Sequence, residues 1–80
     1  MIYYNVLKEV NILYYYAEII RELREDRKLK QDDIAKLLGT TQGHYSDYET
    51  SRHEMPIRHL IELCKFYNVS SDYVLGLKRE

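Results

Sequence analysis

The feature that most restricts the fold is a glycine set between two short helical patterns. Behind Gln31, the residues Ile34, Ala35, Leu37 and Leu38 recur at helical spacing. Asp32 and Asp33 occupy the first turn, where carboxylates favour the positive end of the helix dipole. Gly39 follows the last apolar residue and can take positive φ at the C′ position. Thr40 and Thr41 come next, and Thr41 is a good N-cap for a segment running from Gln42 to Tyr48 or Glu49. The connection between the two helices is only about three residues long.

The flanking chain carries three more helical patterns. Tyr16, Ile20, Leu23 and Arg27 fall three or four apart, with Arg21, Glu22, Glu25 and Asp26 on the other side, which predicts a first helix over roughly 14 to 27. Leu29 tucks inward from the basic connection Lys28 to Lys30. After a polar loop, Thr50 to Met55, Pro56 suits the first position of a fourth helix because its missing N–H would have no partner there. Ile57, Leu60, Ile61, Leu63, Cys64 and Tyr67 trace its expected inward face, and Asn68 ends it. Val69 plugs the next turn, and Ser70 or Ser71 caps a short fifth helix through Tyr73, Val74 and Leu75 before Gly76. The expected class is all-α, a compact five-helix domain over 14–80. Residues 1–13 form an N-terminal extension of open conformation: Ile2, Tyr4 and Val6 alternate as a strand would, while Val6, Val10, Leu13 and Ala17 keep helical spacing.

Eighty residues allow one small core, and 45% apolar with 31% charged residues excludes a disordered chain. Twelve Lys and Arg against thirteen Asp and Glu leave a net charge of −1, so binding to a polyanion has to come from a local patch. The stretch Ile12 to Ile20 is broken by Glu18 and is too short to span a bilayer, and the start lacks a basic n-region, so neither a membrane partner nor a secretory signal is expected. The lone Cys64 reads as a packed thiol in a reducing cytoplasm. His53, His59 and Cys64 lack zinc-ligand spacing, and no metal or other cofactor is indicated. With no plausible triad, Gly-rich phosphate loop or paired catalytic carboxylates, the chain reads as a non-enzyme.

Two short helices joined by a tight turn are the sequence form of a helix-turn-helix. The stretches Ile20 to Glu25, Leu29 to Gln42, Tyr45 to Glu49 and Tyr67 to Gly76 together resemble the lambda-repressor-like, or Xre-type, helix-turn-helix proteins, over Tyr16 to Gly76. The resemblance implies sequence-specific binding of double-stranded DNA by a transcriptional repressor that inserts the third helix in the major groove of a two-fold operator.

The residue types assign roles in such a motif. Tyr45 and Tyr48 are three apart and point inward, which turns Gln42, Gly43, His44, Ser46 and Asp47 outward toward base edges and phosphates. Gln42 can donate and accept at once, as bidentate pairing with adenine requires, and Asp47 as an acceptor prefers the amino group of cytosine. Gly43 keeps the backbone close to DNA, while Ser46 and His44 suit either a base or a phosphate. Gln31 lies at a helix N-terminus, where anions are favoured, and by resemblance it clamps the DNA backbone. Thr41, Lys30, Arg52 and Arg58 are further phosphate candidates. By the same resemblance Arg24 and Glu49 form a partly buried salt bridge tying the third helix to the scaffold.

Between Lys28 and Arg58 the basic Lys28, Lys30, Lys36, Arg52 and Arg58 are matched by Asp32, Asp33, Asp47, Glu49 and Glu54, so a monomer should bind DNA poorly. A homodimer reading half-sites about 34 Å apart is expected instead. One candidate interface is Val69, Tyr73, Val74, Leu75 and Leu77, where family members often pair. The other is the aromatic arm with Ile2, Tyr3, Tyr4, Leu13, Tyr14 and Tyr15. The alternative function is an antitoxin-like or adaptor module that binds a protein partner through this arm, with DNA binding secondary.

Overall fold

In the computed structural model, which describes residues 16–77, helices span residues 16–26 (α1), Gln31–Leu38 (α2), Gln42–Glu49 (α3), Ile57–Tyr67 (α4) and Ser71–Val74 (α5). No strand occurs among the described residues, so the all-α expectation holds. The N-terminal extension, with its arm residues Ile2, Tyr3, Tyr4, Leu13, Tyr14 and Tyr15, lies outside them.

All five helices stop in the same way. The residue after each helix, or one further on, adopts positive φ: Lys28, Gly39, Ser51, Asn68 and Gly76. In each case the next N–H reaches back to a carbonyl five residues earlier: Leu29 to Arg24 at 3.1 Å, Thr40 to Ala35 at 2.9 Å, Arg52 to Asp47 at 2.8 Å, Val69 to Cys64 at 3.0 Å and Leu77 to Asp72 at 2.8 Å. This is the Schellman closure, which satisfies carbonyls that the helix leaves without partners. At the opposite ends, Asp33 accepts from the Lys30 N–H at 2.8 Å, Thr41 Oγ1 from the His44 N–H at 3.1 Å, and Ser70 Oγ from the Tyr73 N–H at 3.1 Å.

The core draws on every helix: Ile19, Ile20 and Leu23 of α1, Ile34, Ala35 and Leu38 of α2, Tyr45 and Tyr48 of α3, Leu63 and Tyr67 of α4, and Val74 of α5. Tyr16 also reaches across to the α3–α4 loop, where its hydroxyl accepts the Met55 N–H at 2.9 Å. Cys64 is half-buried against this core, and burial pushes its thiol pKa up.

The structure departs from the sequence expectation at the start of α4 and along its face. Pro56 sits at the N-cap with extended backbone, ψ 154°, one residue before the first helical position. Ile57 is 73% exposed and Ile61 is also exposed, because the buried residues of α4 are His59, Leu63 and Tyr67, a row of four-residue steps that Met55 of the preceding loop extends. Val74, one of the residues expected at a dimer interface, is fully buried in the core of its own domain.

Candidate nucleic-acid interface

Apart from its two tyrosines, α3 is entirely polar or glycine, so bulk rather than hydropathy decides which side faces in. Tyr45 and Tyr48 are both 0% exposed, with rings packed edge to face at 6.0 Å between centroids. The Tyr48 hydroxyl shares a 2.9 Å hydrogen bond with Nδ1 of buried His59 on α4. Burial pushes the Tyr48 and Tyr45 phenols up, the latter far above the ordinary range with the Glu49 carboxylate beside it, so both stay protonated.

Glu49, at the end of α3, is buried and begins a polar chain that returns to the start of the helix. Arg24 of α1 donates to it twice, Nε to Oε2 at 2.7 Å and Nη2 to Oε1 at 3.0 Å, and gives Nη1 to the Leu29 carbonyl at 2.9 Å. This fork geometry is what a planar guanidinium offers a carboxylate. Burial pushes the Glu49 carboxyl up, but the hydrogen bonds from Arg24 and Gln31 outweigh it and hold the pKa below its usual value. Gln31 donates Nε2 to Glu49 Oε1 at 3.0 Å, and Gln42 donates Nε2 to Gln31 Oε1 at 2.6 Å.

The chemistry of this chain fixes both amides. A carboxylate only accepts, so Gln31 must turn its NH₂ toward Glu49 and its carbonyl toward Gln42. Gln42 therefore keeps its own carbonyl oxygen and one N–H for an outside partner. An acceptor and a donor side by side match the N6 amino group and N7 of adenine.

The remaining outward residues differ in how free they are. Gln42, Gly43 and His44 are exposed, and Ser46 and Asp47 partly so. A Cβ built on Gly43 would meet nothing within 4 Å, so packing does not require glycine there. Asp47 is already engaged: its Oδ2 lies 3.1 Å from Nδ1 of His53. Among the phosphate candidates Gln31 is half-buried by its two amide partners, while Lys30, Thr41, Arg52 and Arg58 are exposed. Thr41 also serves α3 as its cap.

Two histidines that sequence reasoning left without a role contact this helix. His59 is detectable as a member of the Met55–Leu63–Tyr67 ladder. His53 is not, because its position depends on Ser51 taking φ 62°. Among the described residues no cluster of His, Cys, Asp or Glu could hold a metal ion, and no helix is long and apolar enough to cross a membrane.

The helix-turn-helix family model matches residues 20–74. The chain is 36% identical over 62 residues to the HTH-type transcriptional regulator YobD of Bacillus subtilis (strain 168), covering 78% of this chain and 55% of that one. It is 33% identical over 60 residues to the HTH-type transcriptional regulator YqaE of the same organism, covering 75% and 52%. It thus spans about half the length of these relatives. Among solved structures it is similar to the P22 c2 repressor in complex with synthetic operator 9T, with TM-score 0.71 and 30% identity over 79% of this chain and 96% of that one. It is also similar to a transcriptional regulator from Listeria innocua, with TM-score 0.75 and 28% identity over 81% and 61%. With five helices in the expected order and a family match across four of them in full, this chain belongs to the lambda-repressor-like helix-turn-helix family.

Proposed function

We propose that the chain is a sequence-specific double-stranded DNA-binding regulator of transcription, acting as a repressor by laying α3 in the major groove. The observation that carries this reading is the chain Arg24–Glu49–Gln31–Gln42, which ties both ends of α3 to the scaffold and presents the Gln42 amide in a fixed orientation. Gln42, Gly43, His44, Ser46 and Asp47 form the base-reading side. The N-terminus of α2 at Gln31, with Lys30, Thr41, Arg52 and Arg58, meets the phosphates. Similarity to a repressor solved with its operator supports the same reading. Selection from a random duplex library tests it: enrichment of a two-fold sequence is expected, and no enrichment would refute it.

The protein acts as a dimer in this reading, in the cytoplasm and without a catalytic role. Leu75 and Leu77, with Ile57, line an open cleft of about 590 Å³ between the start of α4 and α5, and Ile57 and Leu77 are exposed apolar residues. Val69 and Tyr73 are half-buried against the core. Sedimentation of the free protein and of its DNA complex checks the assembly, with a strict monomer in both as the contrary result. The alternative adaptor role rests on the aromatic arm, outside the described residues.

A further inference from the structure

We propose that His53 is a DNA-contacting residue that gives the interface a positively charged donor only when its imidazole is protonated, so that DNA binding tightens as pH falls. The proposal rests on the DNA-binding reading above and adds to it a residue outside the helix-turn-helix.

The turn after α3 folds back on the helix. The N–H groups of Arg52 and His53 both donate to the Asp47 carbonyl, at 2.8 and 3.2 Å, with Ser51 in the left-handed region. His53 is thereby placed against the outward edge of α3. Its Nδ1 lies 3.1 Å from Asp47 Oδ2, and its ring stacks on that of His44 at 6.1 Å between centroids and 22° between planes. Its side chain remains 63% exposed.

Asp47 decides what the exposed side of this ring can do. A carboxylate only accepts, so Nδ1 carries the proton in the neutral ring and the exposed Nε2 is then an acceptor. A phosphate oxygen also only accepts, and the two repel. Protonation turns Nε2 into a charged donor while Nδ1 keeps its bond to Asp47, so a phosphate contact exists in one protonation state only. Imidazole changes charge between pH 5 and 8.

Titratable groups of α3 and of the following loop surround His53. On α3 it faces Asp47 and His44, and charging both stacked rings would set like charges together. Arg52 and Glu54 are exposed sequence neighbours in the loop. On α4, His59 is buried against Tyr48, and burial, Arg58 and His44 push its pKa down, with Glu62 opposing.

The test uses the full chain with a duplex enriched from the random library and a mixed-sequence duplex of equal length. Anisotropy titrations run from pH 8 to pH 5.5 at constant ionic strength. For wild type, affinity for both duplexes should rise as pH falls, by at most about tenfold per pH unit for each protomer bound, the limit set by uptake of one proton per His53. His53→Gln should flatten this dependence and His44→Gln should retain it. On the mixed-sequence duplex, where no base contact of Asp47 is at stake, Asp47→Asn should flatten it by raising affinity at pH 8, because the freed ring can then carry its neutral proton on Nε2. In the DNA-free protein, imidazole ¹⁵N shifts should report the Nδ1–H form of His53 at pH 8 and loss of that preference in Asp47→Asn. Binding with no pH slope, a slope that survives His53→Gln, or a mixed tautomer in wild type overturns the proposal. Absence of binding to any duplex at any pH overturns the DNA-binding reading with it.

Discussion

The amide of Gln42 donates to the carbonyl of Gln31 at 2.6 Å, so the first residue of the third helix is oriented by the first residue of the second. Gln31 is itself held by Glu49, and Glu49 by Arg24. Three side chains, one from each of three helices, thus set the direction of one amide, and preorganisation of this kind reduces the conformational entropy lost on binding.

Gln31→Ala removes the orienting partner but none of the proposed base contacts. Discrimination at the base pair read by Gln42 should fall by about 1 kcal/mol, the typical net value of one hydrogen bond, with helix content unchanged. Affinities for the enriched duplex and its single-pair variants check this, and loss of folding in circular dichroism would assign Gln31 a structural role instead.

Gly43→Ala should separate stability from binding. The space around Gly43 is open, and alanine is favoured over glycine inside a helix by about 0.8–1.0 kcal/mol, so the variant should melt at higher temperature. In the proposed docking of α3, DNA affinity should drop because the added methyl would stand between the backbone and the groove. Thermal unfolding and anisotropy read the two effects in opposite directions.

The Arg24–Glu49 pair makes a signed prediction in pH. The Glu49 carboxyl has its folded pKa below the unfolded value. Its contribution is present above the unfolded pKa of about 4.3 and is lost as pH falls through the folded value. Arg24→Met leaves the carboxylate buried beside no cation and should cost about 3 to 5 kcal/mol at pH 7. The sign should then reverse, with the variant gaining stability as acid neutralises Glu49. Urea unfolding of both proteins from pH 7 down to about pH 3, below the unfolded carboxyl pKa, measures this.

Much of this architecture is legible in the sequence because its punctuation is chemical. Gly39 and Thr41 announce the ends of α2 and α3, and Asn68 and Gly76 announce those of α4 and α5. Tyr45 and Tyr48 identify the inner side of α3 by size alone. The face of α4 misleads because Ile57 and Ile61 suggest burial by hydropathy, whereas His59 enters the core through its hydrogen bond to Tyr48. The placement of His53 is not legible, since it follows from Ser51 adopting a backbone state that serine seldom takes.

Lys28 is a second such position, holding φ 57° at the close of α1. Left-handed backbone costs an L-residue about 1–2 kcal/mol, partly offset by the greater unfolded-state freedom of glycine. Lys28→Gly should therefore stabilise the domain by about 0.5–1 kcal/mol, read as a higher urea midpoint with an unchanged slope.

The central claim is that Gln42 reads a base from a rigid scaffold. It is tested most directly by measuring Gln42→Ala and wild type against every single-pair variant of the enriched duplex. The account predicts a loss of about 1–3 kcal/mol of discrimination confined to one position in each half-site, with the fold intact. An unchanged base preference at every position would contradict it.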